Sequence, residues 1–192
     1  GLGDVYKRQA LVGVSLTGVF EGNNVVKEII IPEGVVETYG PAIANCYNLE
    51  KITIPGTMTT FDVVRCDNLK EVNIVDGDTI TESFSFSDCS GLEEIYLPKQ
   101  INKISTNAFA RCYSLKNVKF SKNVYCIESV AFQGCTSLTN IDLPDKLSEI
   151  GSNAFQCCTS LQTIDVPSNV RIIDSWTFDG CKSLEIVNLP ED

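Results

Sequence analysis

The sequence contains no histidine in its 192 residues. Without histidine, no serine or cysteine can be activated by an imidazole base, and a catalytic zinc ion would lack its usual nitrogen ligand. Cys157 and Cys158 are adjacent, but two thiols are too few to hold zinc. We therefore expect no catalytic residue, no metal site and no cofactor, and we interpret the protein as a non-enzyme.

Basic residues and long apolar runs are also scarce. The chain has 15 lysines and arginines against 25 aspartates and glutamates, for a formal net charge of −10. This balance argues against nucleic acid and anionic lipid as partners, because both are recognised through a basic surface. No apolar run reaches the roughly 18 residues that a membrane-spanning helix needs. We expect a monomer without membrane insertion, whose acidic surface favours solubility.

The dominant feature of the chain is a repeat of 23 residues. The motif Leu-x-x-Ile-x-Leu-Pro recurs, and successive anchor residues are 23 positions apart except for one step of 20 between Leu49 and Leu69. The anchors are Val26, Leu49, Leu69, Leu92, Leu115, Leu138, Leu161 and Leu184. A fixed period of this length predicts a stack of similar units, none of which buries its apolar face alone.

We expect residues 12–192 to form a single solenoid of about eight such units. Residues 1–11 do not fit the repeat, and we interpret them as a leader that need not be native sequence. The last residues, 189–192, directly follow a strand motif and lack the polar cap that solenoids need for solubility. We therefore expect the chain to be a fragment of a longer protein.

Two local patterns lie within each unit. In the unit anchored at Leu161, Ile164 and Val166 alternate with polar residues, which predicts a half-buried strand. The segment 152–158 begins with a good N-cap residue and places its apolar residues on one helical face, which predicts a short helical turn. Between the proline that ends one strand and the next turn, as in residues 169–173, we expect a second short strand.

Seven of the nine cysteines recur at one offset, three residues before the anchor: Cys46, Cys66, Cys89, Cys112, Cys135, Cys158 and Cys181. This offset lies beside apolar positions, which predicts small buried side chains. Stacked parallel side chains have poor geometry for a disulfide, so we expect free thiols. Cys126 and Cys157 break the pattern, and we expect both to face outward.

The pattern Ile-x-x-x-Ala-Phe-x-x-Cys-x-x-Leu-x-x-Ile-x-Leu-Pro resembles the BspA-like class of leucine-rich repeats over residues 12–190, most closely over residues 101–190. The resemblance implies an α/β fold: a right-handed leucine-rich-repeat solenoid with a parallel β-sheet on one face and short helical turns on the other. It also implies a secreted protein, extracellular or at the cell surface, with a role in adhesion to host or matrix proteins. The family offers no catalytic residues to transfer.

The outward side chains of the predicted sheet are the candidate binding residues, because solenoids bind partners along extended faces. Consecutive units place an aromatic ring beside charges of both signs, a typical energetic centre of an interface. These residues are Tyr96, Lys119, Asp142 and Asp165, and the set is completed by Asn73, Asn117 and Asn140. The alternative is that all of them only keep the sheet soluble.

Three functions are compatible with these features. The leading hypothesis is a non-enzymatic binding or adhesion module that recognises a protein or glycan ligand along the sheet face. The alternative is an architectural spacer in a larger surface protein. A carboxylate-based glycoside hydrolase ranks third, because a smooth solenoid face offers little cleft for two carboxylates about 5–10 Å apart.

Overall fold

The computed structural model describes residues 14–40 and 42–190, which contain sixteen short strands. The strands are β1 (Val14–Thr17), β2 (Glu28–Ile30), β3 (Val35–Tyr39), β4 (Ile43–Ala44), β5 (Lys51–Ile54), β6 (Thr60–Val64), β7 (Glu71–Ile74), β8 (Ser83–Ser85), β9 (Glu94–Tyr96), β10 (Lys103–Ile104), β11 (Asn117–Lys119), β12 (Cys126–Ile127), β13 (Glu149–Ile150), β14 (Thr163–Asp165), β15 (Ile172–Ile173) and β16 (Ile186–Asn188).

The strands pair in parallel with the strand of the next coil. One ladder, which we call the sheet face, contains β2, β5 and β7, then β9 and β11, then β14 and β16. A second ladder contains β1, β3, β6, β4 and β8 in one sheet and β10, β12, β13 and β15 in another. Partners are one repeat apart, as in Asn117 with Glu94. The predicted parallel solenoid of about eight coils is confirmed, and β15 confirms the second strand expected in residues 169–173.

The predicted short helical turns are wrong, because residues 14–40 and 42–190 contain no helix. Asn153 and Cys157 have φ of 58° and 59°, a left-handed backbone that cannot continue a right-handed helix. Their amides donate across to the next coil, to the carbonyls of Ser175 at 3.0 Å and Asp179 at 2.7 Å. Of the intervening amides, that of Phe155 also donates to the next coil, whereas those of Ala154 and Gln156 bond within their own coil. Because these amides bond to the neighbouring coil, each unit forms a series of turns instead of a helix. We call this side of the solenoid the turn face.

One continuous core runs through the coils. The anchors from Leu49 to Leu161 have no exposed surface. Phenylalanine rings stack along the core, with centroids 5.3 Å apart from Phe109 to Phe132 and again from Phe132 to Phe155. Such stacked pairs stabilise a core by about 0.5–1.5 kcal/mol beyond the area that they bury. The repeat spacing thus places chemically identical side chains in van der Waals contact.

The inward residues of the last unit are less buried than the repeat predicts. Val187 and Leu189 are 43% and 64% exposed, whereas Ile164 and Val166 at the same offsets one coil earlier are 1% and 7% exposed. A coil covers only one side of its neighbour, so both sides are needed for full burial. Within the described residues, nothing lies on the far side of β16.

The cysteine ladder is buried as expected. Six of its seven thiols are buried and Cys181 is half-buried, while Cys126 is half-buried and Cys157 is exposed. Ladder thiols also donate to carbonyls of the preceding coil, as from Cys135 Sγ to the Phe109 oxygen at 3.2 Å. Burial raises the pKa of Cys112 to about 12. The thiol at this offset therefore both fills space and adds a hydrogen bond between coils.

Replacing a central ring of the phenylalanine stack should be costly. Phe132→Ala removes a fully buried side chain that stacks on both sides, and we expect a loss of about 3–5 kcal/mol in the free energy of unfolding, measured in urea. Phe178→Ala is the matched control, because Phe178 is only half-buried and should cost less. Equal losses at the two positions would contradict this account of the core.

The turn face contains one strained position whose replacement should be stabilising. Val130 has φ of 65°, which a β-branched residue rarely adopts, whereas the equivalent positions hold Asn107 and Asn153. We expect Val130→Asn to raise the free energy of unfolding by about 1 kcal/mol, because asparagine tolerates the left-handed backbone better. Val25→Asn, at an exposed residue without positive φ, should have no such effect.

The thiols should react with iodoacetamide in a fixed order in the native protein. Cys157 is exposed and should be modified first. Cys126 should react more slowly, because burial raises its pKa to about 11 and lowers its thiolate fraction. Its labelling rate should rise about tenfold per pH unit below that pKa. Mass spectrometry of digested peptides measures the order, and rapid modification of Cys112 or Cys135 in folded protein would contradict it.

Candidate binding site on the sheet face

The sheet face carries two rows of outward side chains. In β9, Glu94 and Tyr96 are exposed, whereas Ile95 between them is 3% exposed. In β11, Asn117 and Lys119 are exposed in the same way. This alternation follows from the two-residue period of a strand, and equivalent side chains on paired strands lie about 4.8 Å apart. Residues 23 apart in the sequence can therefore act on one ligand.

The sheet face is interrupted between β7 and β9, which are neighbours but belong to separate sheets. Glu71 and Glu94 hold the same offset on these strands, and like charges directly opposite each other destabilise strand pairing. The buried side chain of Gln100 bridges the segment that follows β7. Its Nε2 donates to the Val75 oxygen at 2.7 Å, and its Oε1 accepts from the Gly77 amide at 3.2 Å. A side chain thus supplies hydrogen bonds that the backbone supplies elsewhere.

A depression of about 300 Å³ lies at this interruption. It brings together four of the seven predicted binding residues, which come from β7, β9 and β11: Asn73, Tyr96, Asn117 and Lys119. Val72 and Ile95 supply its apolar lining. Tyr96 is 56% exposed, so its ring is open to a ligand. We call this feature the Tyr96 depression.

The other three predicted residues lie outside the Tyr96 depression. Residues 140–142 form no strand, although they occupy the coil between β11 and β14, and Asn140 and Asp142 are exposed there. Asp165 on β14 accepts a hydrogen bond of 2.6 Å from Asn188 Nδ2. The structure therefore does not gather Tyr96, Asp142 and Asp165 into one site.

Ion pairs link neighbouring coils around the depression. Lys51 Nζ lies 3.3 Å from Glu71 and 3.7 Å from Glu28, and the hydrogen bond to Glu71 raises the pKa of Lys51. Lys116 Nζ lies 2.8 Å from Glu93, and this hydrogen bond lowers the pKa of Glu93. All of these groups are exposed, so solvent screens the pairs and they add little to the stability of the fold. The pairs chiefly determine which charges remain free for a ligand.

The lining of the Tyr96 depression has more free cations than free anions. It contains Lys51, Lys70 and Lys119 together with Glu71 and Glu94. Lys51 and Glu71 neutralise each other, whereas Lys70 and Lys119 form no ion pair within residues 14–40 and 42–190. The depression is thus locally basic on a protein whose formal net charge is −10.

Sequence reasoning missed part of this lining. The missed residues are Lys51, Lys70, Glu71 and Glu94. Two signals could have pointed to them: the 20-residue step between the anchors Leu49 and Leu69, and the two glutamates at one offset of consecutive units. Both signals mark a place where the repeat is irregular, the first in its length and the second in its pattern of charges.

A second depression of about 380 Å³ lies on the turn face and includes Arg65, Asp88 and Arg111. Asp88 accepts two hydrogen bonds from the Arg111 guanidinium, one of them 2.8 Å from Nη2 to Oδ2. This bidentate pair satisfies both groups within the protein. No aromatic side chain lines this depression. It is therefore a weaker candidate for ligand binding than the Tyr96 depression.

No group of three or more cysteine, aspartate or glutamate side chains is placed to hold a metal ion in residues 14–40 and 42–190. Within the same residues, no helix has the length and apolar character to cross a membrane.

Comparison with known proteins identifies the family. The sequence profile described as the BspA type leucine rich repeat region matches residues 16–116 and 102–192, in six copies. The chain belongs to this family. The matches span the coils that build the Tyr96 depression, so the site lies within BspA type repeats and not in an insertion between them.

Solved structures agree with the BspA type assignment at the level of the fold. The T. pallidum leucine rich repeat protein has a TM-score of 0.61 and 24% identity, over 93% of this chain and 76% of that one. A leucine-rich repeat protein from Eubacterium ventriosum ATCC 27560 has a TM-score of 0.53 and 22% identity, over 91% of this chain and 57% of that one. No curated protein sequence matches the chain.

Proposed function

We propose that this chain is a non-enzymatic binding module of a secreted or cell-surface protein and that it recognises a protein or glycan ligand along the sheet face. The observation that carries the proposal is the Tyr96 depression, where an exposed ring is surrounded by polar side chains from three strands. The extracellular or surface location rests on what the family resemblance implies.

The chemistry of the depression suits recognition. A ligand gains free energy when it removes an apolar ring from water and finds polar partners around that ring. Tyr96 offers the ring, Asn73 and Asn117 offer amide donors and acceptors, and Lys119 offers a cation. Because these groups come from different coils, the stacked fold holds them at fixed spacing before any ligand arrives.

The same arrangement argues for binding over catalysis. Glycoside hydrolysis needs two carboxyl groups, one of them a general acid with a raised pKa. Glu71 is engaged by Lys51 at 3.3 Å and is not free to act on a substrate. Glu94 is thus left without a second carboxyl group that could serve as the acid.

The proposal predicts that one double variant weakens binding. The immobilised chain should bind at least one member of a panel of extracellular-matrix proteins and glycans, as measured by surface plasmon resonance. Tyr96→Ala combined with Lys119→Ala should weaken that binding about thirtyfold, because loss of an energetic centre costs about 2 kcal/mol or more. Trp176→Ala is the control, since Trp176 is 72% exposed and lies on the turn face.

Two results would change the interpretation. Unchanged binding by the Tyr96 and Lys119 variant would move the site to another surface. A folded wild-type chain that binds no member of the panel would favour the architectural spacer.

A further inference from the structure

We propose that the Tyr96 depression is a subsite for a carboxylated saccharide, meaning a sugar that carries a uronic or sialic acid carboxylate. This inference rests on the proposed function, because it names the ligand class of the same site. Two observations carry it. The lining has a single exposed aromatic ring in polar surroundings, and it has two lysines that form no ion pair in the described part of the chain.

The surroundings of Tyr96 favour a sugar over a protein surface. Interfaces between proteins centre on clusters of aromatic and aliphatic side chains that together exclude water. Tyr96 is the one aromatic residue in the lining, and Val72 and Ile95 are partly or fully buried beneath the outward rows. A pyranose ring has one apolar C–H face and a rim of hydroxyl groups. It can therefore stack on a single phenol ring and direct its hydroxyls at polar neighbours.

Three exposed polar side chains in the lining can hydrogen-bond to those hydroxyls: Asn73, Glu94 and Asn117. Each asparagine amide can both donate and accept, whereas the glutamate carboxylate only accepts. A sugar hydroxyl both donates and accepts, so it can pair with either kind of group.

The free charges select an acidic sugar. Lys51 is held by Glu71 and Glu28, whereas Lys70 and Lys119 form no ion pair in the described part of the chain. The charge of Lys70 also acts on Glu50 and Glu93, but its ammonium group keeps its hydrogen-bond donors for a ligand. The protein as a whole carries a formal charge of −10 and repels anions at long range. An anion must therefore be captured by contact, and a charge-assisted hydrogen bond from a lysine to a carboxylate supplies that contact.

The experiment compares matched sugars on the full chain by isothermal titration calorimetry. Lactose and 6′-sialyllactose share a neutral disaccharide and differ by one carboxylated sugar, and a hyaluronan hexasaccharide supplies a uronic acid from a second source. We expect a carboxylated ligand to bind about a hundredfold more tightly than lactose, the value of two hydrogen bonds to a charged group, one from each lysine. Added salt should weaken only the carboxylated ligand.

Variants identify the contacts. Lys70→Met and Lys119→Met should each lower the affinity for the carboxylated ligand about tenfold and leave lactose unchanged. Tyr96→Ala should weaken every sugar. Tyr125→Ala and Lys122→Met are the matched controls, because both residues are exposed and lie outside the lining. Unchanged thermal unfolding of each variant shows that folding is intact.

The outcomes separate this inference from the proposed function. Equal affinity for lactose and 6′-sialyllactose would overturn the selection of a carboxylate. No binding of either carboxylated ligand at millimolar concentration would overturn the saccharide subsite. If the Tyr96 and Lys119 variant nevertheless loses binding to a matrix protein, the proposed function stands and only the ligand class is wrong.

Discussion

Each coil of this protein completes its hydrogen bonds and its core only against the next coil. The amide of Arg111 donates to the Gln133 carbonyl at 2.7 Å, and the thiol of Cys135 donates back to the Phe109 carbonyl at 3.2 Å. A buried polar group without a hydrogen-bond partner lowers the stability of the fold. Each backbone donor or acceptor that faces along the stack therefore needs a partner one repeat away. This need for hydrogen-bond partners, together with apolar packing between coils, favours a constant repeat length along the chain.

On the turn face, hydrogen bonding between coils determines the backbone conformation. The sequence of a single unit predicts a helical turn. In the structure, however, the amides of Asn153 and Cys157 bond to the next coil, and both residues adopt positive φ. Asparagine, aspartate and glycine meet this requirement at low cost, and they hold many of these positions. Val130 meets it only with strain, which shows that pairing between coils outweighs the conformational preference of one residue.

The candidate site arises where the repeat is broken. On the strands before this point, opposite charges on neighbouring coils pair, as Lys51 does with Glu28 and Glu71. Between β7 and β9, Glu71 and Glu94 place like charges side by side and the ladder is interrupted, while Gln100 makes the hydrogen bonds to Val75 and Gly77 in the segment that follows β7. Places where a sequence departs from its own local rule at a cost in stability are frequently functional. The Tyr96 depression has this character, and the regular coils on either side supply its rigidity.

The sequence by itself determined the period, the parallel stack, the buried anchors and the burial of the cysteine ladder, because residues spaced by one repeat must align along the axis of a solenoid. It also placed Asn73, Tyr96, Asn117 and Lys119 on one face through the two-residue period of a strand. Only the tertiary structure decided that the turns are not helical, that Asp142 and Asp165 lie apart from Tyr96, and that Lys70 and Glu94 join the site. The physical reason is that these outcomes depend on which amides, charges and side chains meet between coils. The spacing within one unit carries no information about those contacts.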